Sequence, residues 1–309
     1  MKKVFKKVLV LSLCVVLLTS VFCSCGKKGE KIAVLIPEGN TDFLTGLNYF
    51  AEKYSKDYSR EIIVFKAKDQ KEQSKQISGL SRSEYGAAVL YPVGNQKSES
   101  EKLKKKGIKL MFFMQKASED YNSFYSIDVS SVGSCAAQYI YAKRQNVKTA
   151  NVAVITTSSK ENRELVNAFS EEAVKYPVIS LKNTYTIDKI IKTDVAWALR
   201  TAIKENKDIN TVYCPDDKIA AICADIVKEK YKDIDMIIGS GAKQCFLSKI
   251  EDCDILLATS FFSPLMIRDC IINAINLASG SPVNKDTSIT SYIIDSSNVR
   301  QYIDIESVY

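Results

Sequence analysis

The residue types that most often carry enzyme chemistry are unevenly represented in this sequence. It contains nine cysteines and no histidine. Ser-His and Cys-His nucleophilic catalysis, histidine metal sites and the commonest general base near neutral pH are therefore excluded. The sequence also has no G-x-S-x-G motif, no P-loop and no G-x-G-x-x-G between a strand and a helix. We therefore expect no enzyme activity, no cofactor and no metal site.

Six cysteines follow residue 25, and none of them forms the C-x-x-C pair typical of zinc or thioredoxin-like sites. Several lie in apolar patterns such as AAICADIV and RDCIINAI, which favours buried free thiols that act as small hydrophobic side chains. A disulfide between Cys245 and Cys253 remains open for a protein outside the cell. The six are Cys135, Cys214, Cys223, Cys245, Cys253 and Cys270.

The N-terminal segment has four lysines among its first seven residues, followed by an uncharged apolar run from Val8 to Phe22. This run suits a secretory signal and is shorter than the roughly 20 residues of a membrane-spanning helix. The segment resembles a bacterial lipoprotein signal, with Ser24 before Cys25 and Gly26 after it. We predict a signal peptide over 1–24 and fatty acylation (palmitate) at Cys25, since two or more chains give stable anchoring. An uncleaved anchor and a cleaved soluble protein are the alternatives.

The formal net charge of +7 is concentrated in the signal. Without its four lysines, 39 basic residues face 36 acidic ones, a net charge of +3. This balance, with no basic cluster interleaved with aromatic residues, indicates no nucleic-acid partner.

After a polar tether at 25–30, short apolar runs alternate with amphipathic helical stretches. Nearly continuous apolar runs are typical of parallel strands covered on both faces, so the pattern predicts a doubly wound α/β fold. Two such halves would form two lobes, with ligands bound at the carboxyl ends of the strands. Trp197 lies at helical spacing and is predicted to be in the core. The predicted strands are 31–37, 61–67, 86–92, 108–114, 123–129, 151–157, 178–185, 209–215, 234–241 and 255–262.

This order of elements resembles the type I periplasmic binding proteins of ABC importers, in their ribose- and galactose-binding branch. The resemblance implies two lobes joined by a three-segment hinge, 31–129 plus 263–290 and 130–262 plus 291–309. It places the crossovers near residues 129, 262 and 294. It also implies a monomer on the extracytoplasmic face of the membrane that delivers a small sugar-like solute to an ABC permease.

The family binds its ligands with loops that follow particular strands, and the matching positions here are candidate ligand contacts. The segment GNTDFL follows the first strand, and Met114-Gln115 stands where the family usually carries Asp-Arg. Arg163 in NRELVNAF matches the family's helix-head arginine. The complete candidate set is Asn40, Asp42, Phe43, Gln115, Arg163, Tyr185, Asp216 and Phe262.

Arg163 offers donors and Asp216 offers acceptors, so the two could bracket hydroxyl groups or a zwitterion. Phe43 and Phe262 could enclose an apolar ring face. Three of these residues also have a purely structural interpretation: Phe43 as a core aromatic, Arg163 as the partner of Glu161 or Glu164, and Asp216 as a helix cap. The ligand could be a modified sugar, a nucleoside or an amino-acid derivative.

Three other classes of protein share parts of this pattern. The same two-lobed module could report its ligand state to a histidine kinase or chemoreceptor in place of a permease. A transcription regulator would need a helix-turn-helix before the first strand, where only the signal and tether stand. An enzyme would need the catalytic motifs that the sequence lacks.

Overall fold

The strands form two separate six-stranded sheets in the computed structural model, which describes residues 29–251 and 253–309. The predicted signal peptide and Cys25 lie outside the described residues. The elements of the first half are β1 (Lys31–Pro37), α1 (Asp42–Asp57), β2 (Ile62–Ala67), α2 (Gln70–Gly79), β3 (Tyr85–Leu90), α3 (Lys97–Lys105), β4 (Lys109–Phe113) and β5 (Ser123–Ile127).

The second half continues the alternation of helix and strand and then returns to the first sheet. Its elements are α4 (Val129–Arg144), β6 (Ala150–Thr157), α5 (Lys160–Ala173), β7 (Ile179–Ile187), α6 (Lys192–Glu205), β8 (Thr211–Tyr213), α7 (Asp217–Lys230), β9 (Met236–Ser240), α8 (Gln244–Ile250), β10 (Leu256–Ser260), a 3-10 turn (Pro264–Met266), α9 (Ile267–Ser279), β11 (Asp286–Ile289), β12 (Ile293–Ile294) and a second 3-10 turn (Val299–Gln301).

Each sheet has the order expected of a doubly wound lobe, which confirms the predicted fold class. The first sheet runs β11-β5-β4-β3-β1-β2, with every pairing parallel. The second runs β12-β10-β9-β8-β6-β7, and the β10–β12 pairing is antiparallel. Residues Ile32 to Ile36 of β1 are completely buried, as expected of a central strand with helices on both faces. None of the helices described is long and apolar enough to cross a membrane.

The chain crosses between the two sheets three times, and Ser291 connects all three crossings. Its backbone N–H donates to Ser131 Oγ at 2.7 Å, and its hydroxyl donates to the Phe261 carbonyl at 2.9 Å. The crossings follow β5, follow β10 and lie between Ile289 and Ile293, where β11 ends and β12 begins. We expected the third crossing near residue 294. In the structure it lies a few residues earlier in the chain. Three hydrogen-bonded segments form a narrow connection about which the lobes can move.

One further expectation differs from the structure, and one possibility that the sequence left open is decided. Trp197 was predicted to be in the core, but its side chain is 53% exposed, because α6 buries Val195, Ala198 and Leu199 instead. Cys245 and Cys253 are free thiols and form no disulfide. The prediction of buried free thiols is confirmed for Cys214, Cys223 and Cys270.

Candidate functional site

The carboxyl ends of strands from both sheets face a cleft between the lobes, and two adjoining cavities lie in it. Their volumes are about 200 Å³ and about 470 Å³. Thr41, Phe43, Glu161 and Phe262 line both cavities and so mark the boundary between them. Because residues of both lobes line each cavity, a solute bound there would contact both lobes at once.

The smaller cavity contains an ionic cluster that joins the lobes. The Lys243 ammonium lies 2.8 Å from Asp216 and 3.0 Å from Asp42, which begins helix α1 of the opposite lobe. Lys218 contacts the other oxygen of Asp42 at 2.8 Å. The Lys243 side chain is only 8% exposed. Burial disfavours its charge, but Asp216 and Asp42 together hold the pKa of Lys243 above its ordinary value, so the lysine stays protonated.

Local backbone structure explains why this lysine enters the cleft. The loop after β9 has φ of +138° at Gly241 and +59° at Ala242, a left-handed conformation that is unfavourable for alanine. The backbone N–H of Lys243 donates to the buried Asp217 carboxyl at 2.8 Å, and this hydrogen bond holds the loop in place. Gly239 provides the space for Asp217, since a Cβ there would lie 2.0 Å from Asp217 Oδ1.

Asp216 has two roles in this arrangement. Its side chain accepts the backbone N–H of Lys218 at 2.7 Å and so caps helix α7, as its structural interpretation requires. Its second oxygen contacts Lys243 in the cavity. The cap therefore orients the carboxylate that faces the cleft.

Asp217 lies directly behind this cluster with no solvent exposure. Burial raises the pKa of its carboxyl to about 7, although hydrogen bonds from Lys243 N and Thr259 Oγ1 oppose the increase. A protonated and an ionised Asp217 would therefore coexist near neutral pH.

The larger cavity is mainly apolar and aromatic. Tyr91, Met114 and Gln115 line it together with Phe43 and Phe262. The Met114 backbone has φ of +61°. The Gln115 N–H donates to the Phe113 carbonyl at 2.7 Å, which closes a tight turn around Met114. This turn directs the chain after β4 along the cavity wall.

Phe43 and Phe262 contact each other directly. Their rings are stacked with centroids 5.2 Å apart and an interplanar angle of 16°. At this separation no third ring fits between them, so they do not enclose a ring face in this arrangement. Together they form an aromatic wall that separates the two cavities.

Five of the eight predicted ligand contacts line a cavity: Asp42, Phe43, Gln115, Asp216 and Phe262. The other three do not. Arg163 is exposed and donates to the Ser158 carbonyl. Tyr185 is buried, and its hydroxyl donates to Glu205 at 2.8 Å. Asn40 is exposed in the loop between β1 and α1.

The pairing of Arg163 with Asp216 is consequently absent, and Lys243 supplies the cation beside Asp216. Among the described residues, Arg163 also makes no ion pair with Glu161 or Glu164. It donates to the Ser158 carbonyl instead, and Glu164 pairs with Lys160 at 3.7 Å. Sequence reasoning missed Lys243, Glu161 and Tyr91. Tyr91 directly follows β3, Lys243 lies in the loop after β9, and Glu161 lies in the first turn of the helix after β6. Their place in the segments that follow buried strands was the signal that could have identified them.

Two α/β lobes with mainly parallel sheets, three chain crossings between them and a cleft at the strand ends define the type I class of periplasmic binding proteins. The chain belongs to this family, since residues 32–282 match the model of the periplasmic binding protein domain. A search of curated proteins found no match.

Solved structures of similar proteins support the fold. A solute-binding protein of an ABC transporter from Bradyrhizobium sp. BTAi1, with bound bis-tris, is 16% identical with a TM-score of 0.73, covering 89% of this chain and 84% of that one. A sugar-binding protein from Bacillus halodurans is 15% identical with a TM-score of 0.67, covering 89% and 100%. A solute-binding protein from Bacillus halodurans C-125 with bound myo-inositol is 16% identical with a TM-score of 0.63, covering 90% and 99%.

Replacing Lys243 by methionine would leave Asp42 and Asp216 close together without their shared cation. We expect Lys243→Met to lower the free energy of unfolding by roughly 1.5–3 kcal/mol, the range for hydrogen bonds to charged groups. Lys218→Met is the matched control, because its exposed ion pair should contribute less than about 1 kcal/mol. Chemical denaturation followed by circular dichroism measures both, and equal effects would contradict a central role for Lys243.

The Asp217 carboxyl should make stability depend on pH. Its pKa is raised from 3.8 to about 7 in the folded chain. Within that window the folded state holds a proton that the unfolded state has released, so raising the pH should destabilise the protein. The difference in melting temperature between the wild type and Asp217→Asn should therefore change steadily from pH 4 to pH 7. A constant difference would show that Asp217 does not titrate there.

Proposed function

We propose that this protein is an extracytoplasmic solute-binding lipoprotein of an ABC importer. It captures a small, polar, sugar-like solute in the interlobe cleft, closes about its hinge, and delivers the solute to a permease in the same membrane. The observation that carries this proposal is the pair of cavities at the strand ends, each lined from both lobes. Membership in the periplasmic binding protein family and the sugar-binding neighbours support it.

The positions of the contacts across the cleft support hinge closure. Asp42 pairs with Lys218 and Lys243 across the cleft, so these ion pairs form only while the lobes are close together. A solute that contacts both walls adds free energy to the closed state alone and shifts the population toward it. Opening of the cleft would require only small rotations in the three short segments that Ser291 connects.

The chemistry of the cleft suits a compact polar molecule. A volume of about 470 Å³ lies within the usual range for small-molecule sites. Carboxylate and ammonium groups on one side bind hydroxyls, and the aromatic wall contacts the CH face of a ring. Similar proteins have been solved with myo-inositol and with D-allose.

Closure is tested by small-angle scattering of the mature chain with D-ribose, D-galactose, D-allose, myo-inositol and D-glucosamine, added separately. At least one of these compounds should bind in calorimetry and reduce the radius of gyration at saturation, because it draws the lobes together. A compound that saturates the protein and leaves the radius unchanged would contradict hinge closure. Binding of none of them would contradict the sugar-like solute.

Anchoring at Cys25 is tested by growth with a labelled fatty acid. The wild type should incorporate the label and sediment with membranes, because acyl chains hold it at the bilayer. Cys25→Ser should lose the label, while Cys23→Ser, changed two residues away, should keep it. Labelled Cys25→Ser protein would exclude this residue as the site of modification.

A further inference from the structure

Among the described residues that line the cleft, Glu161 is a carboxylate without a cationic partner. Asp42 and Asp216 are neutralised by Lys218 and Lys243 at distances of 2.8–3.0 Å. Glu161 has no ion pair or hydrogen bond from its side chain among residues 29–251 and 253–309. It nevertheless lines both cavities, at the boundary between them.

Surrounding groups make the Glu161 charge less favourable than it would be in water. Its side chain is exposed at the cleft, yet the walls remove enough water to raise the pKa of its carboxyl. Lys243 opposes this increase, while the carboxylates of Asp216, Glu164 and Asp42 add to it. A positive group placed beside Glu161 would relieve both effects.

The walls next to Glu161 also suit a cation. Tyr91, Phe43 and Phe262 line the larger cavity together with Glu161, and Met114 completes the same wall. Aromatic faces attract ammonium groups, most strongly where water is partly excluded. Among the described residues that line this cavity, the other titratable group is Tyr91, whose pKa is raised mainly by burial, so Glu161 is the group there that carries charge at neutral pH.

We propose that the solute is a monocationic amine with a hydroxylated skeleton, such as an amino sugar or a small amino polyol. Its ammonium group contacts Glu161, and its skeleton fills the aromatic cavity of about 470 Å³. This assignment rests on the proposed solute-binding function and specifies the ligand class of that cleft.

Other ligand classes fit the charges less well. A neutral sugar would close the cleft over an ionised carboxylate with no counter-ion, and burying an unpaired charge is unfavourable. An anionic solute would add repulsion from Glu161, since both cations of the cleft already have carboxylate partners. A solute with one positive charge would add a third cation to Lys218 and Lys243, so that Asp42, Asp216 and Glu161 would each have a positive partner.

A glutamate in the first turn of a helix also stabilises that helix, which Glu161 does for α5. The variants must therefore separate ligand binding from helix stability. Glu161→Gln keeps the shape of the side chain and removes its charge. Glu164→Gln removes a charge from the same helix at a residue that pairs with Lys160 and lines neither cavity.

The experiment is calorimetry with matched pairs of compounds at constant pH and salt: D-glucosamine with D-glucose, D-galactosamine with D-galactose, and serinol with glycerol. At least one amine should bind about tenfold more tightly than its neutral partner, the factor that one charge-assisted contact supplies. Glu161→Gln should reduce that ratio to below about threefold, and Glu164→Gln should preserve it. Thermal melting confirms that both variants are folded.

Three outcomes would overturn the proposal: no amine binds more tightly than its neutral partner, no amine binds at all, or the preference survives in Glu161→Gln. Binding of neutral sugars at least as tight as that of their amine partners, with compaction in scattering, would overturn the amine preference and leave the solute-binding function supported. Failure of every compound to bind would count against both.

Discussion

The arrangement of the cleft depends on the Lys243 ammonium, which contacts Asp42 of one lobe and Asp216 of the other. A nearly buried charge is tolerated only when partners compensate for its lost hydration, and here each lobe supplies one. Other residues are needed to hold Lys243 in this position. Asp217 holds the Lys243 backbone, and Gly239 leaves the space that Asp217 occupies. The left-handed turn at Ala242 completes the loop.

The same interaction holds the two lobes close together. Ionic contacts to Asp42 and the stacked pair Phe43–Phe262 are made between residues on opposite sides of the cleft. These contacts are modest in number and partly open to water, so they favour closure without making it permanent. A solute that contacts both walls of the cleft would add to these contacts and favour the closed arrangement further.

The fold was predictable because its signal is local. Runs such as residues 32–36 are apolar at every position, as only strands covered on both faces require, and all ten predicted strands are present within a few residues of their expected ends. The strands β11 and β12 were not predicted. Both are short edge strands: β11 is of mixed polarity and β12 has only two residues, and their pairing depends on the chain returning to each sheet. Their place was set by tertiary structure.

The site was predictable only in part, for a geometric reason. Positions at strand ends were identified, but side-chain direction within the following helix was not. Helix α5 turns about 100° per residue, so Glu161 and Asn162 line the cleft while Arg163 turns away to Ser158. A family motif locates the turn of helix, and a shift of one or two residues exchanges a cation for an anion. That exchange reverses the charge that the cleft presents to a solute, which is why the ligand class must be argued from the structure of this chain.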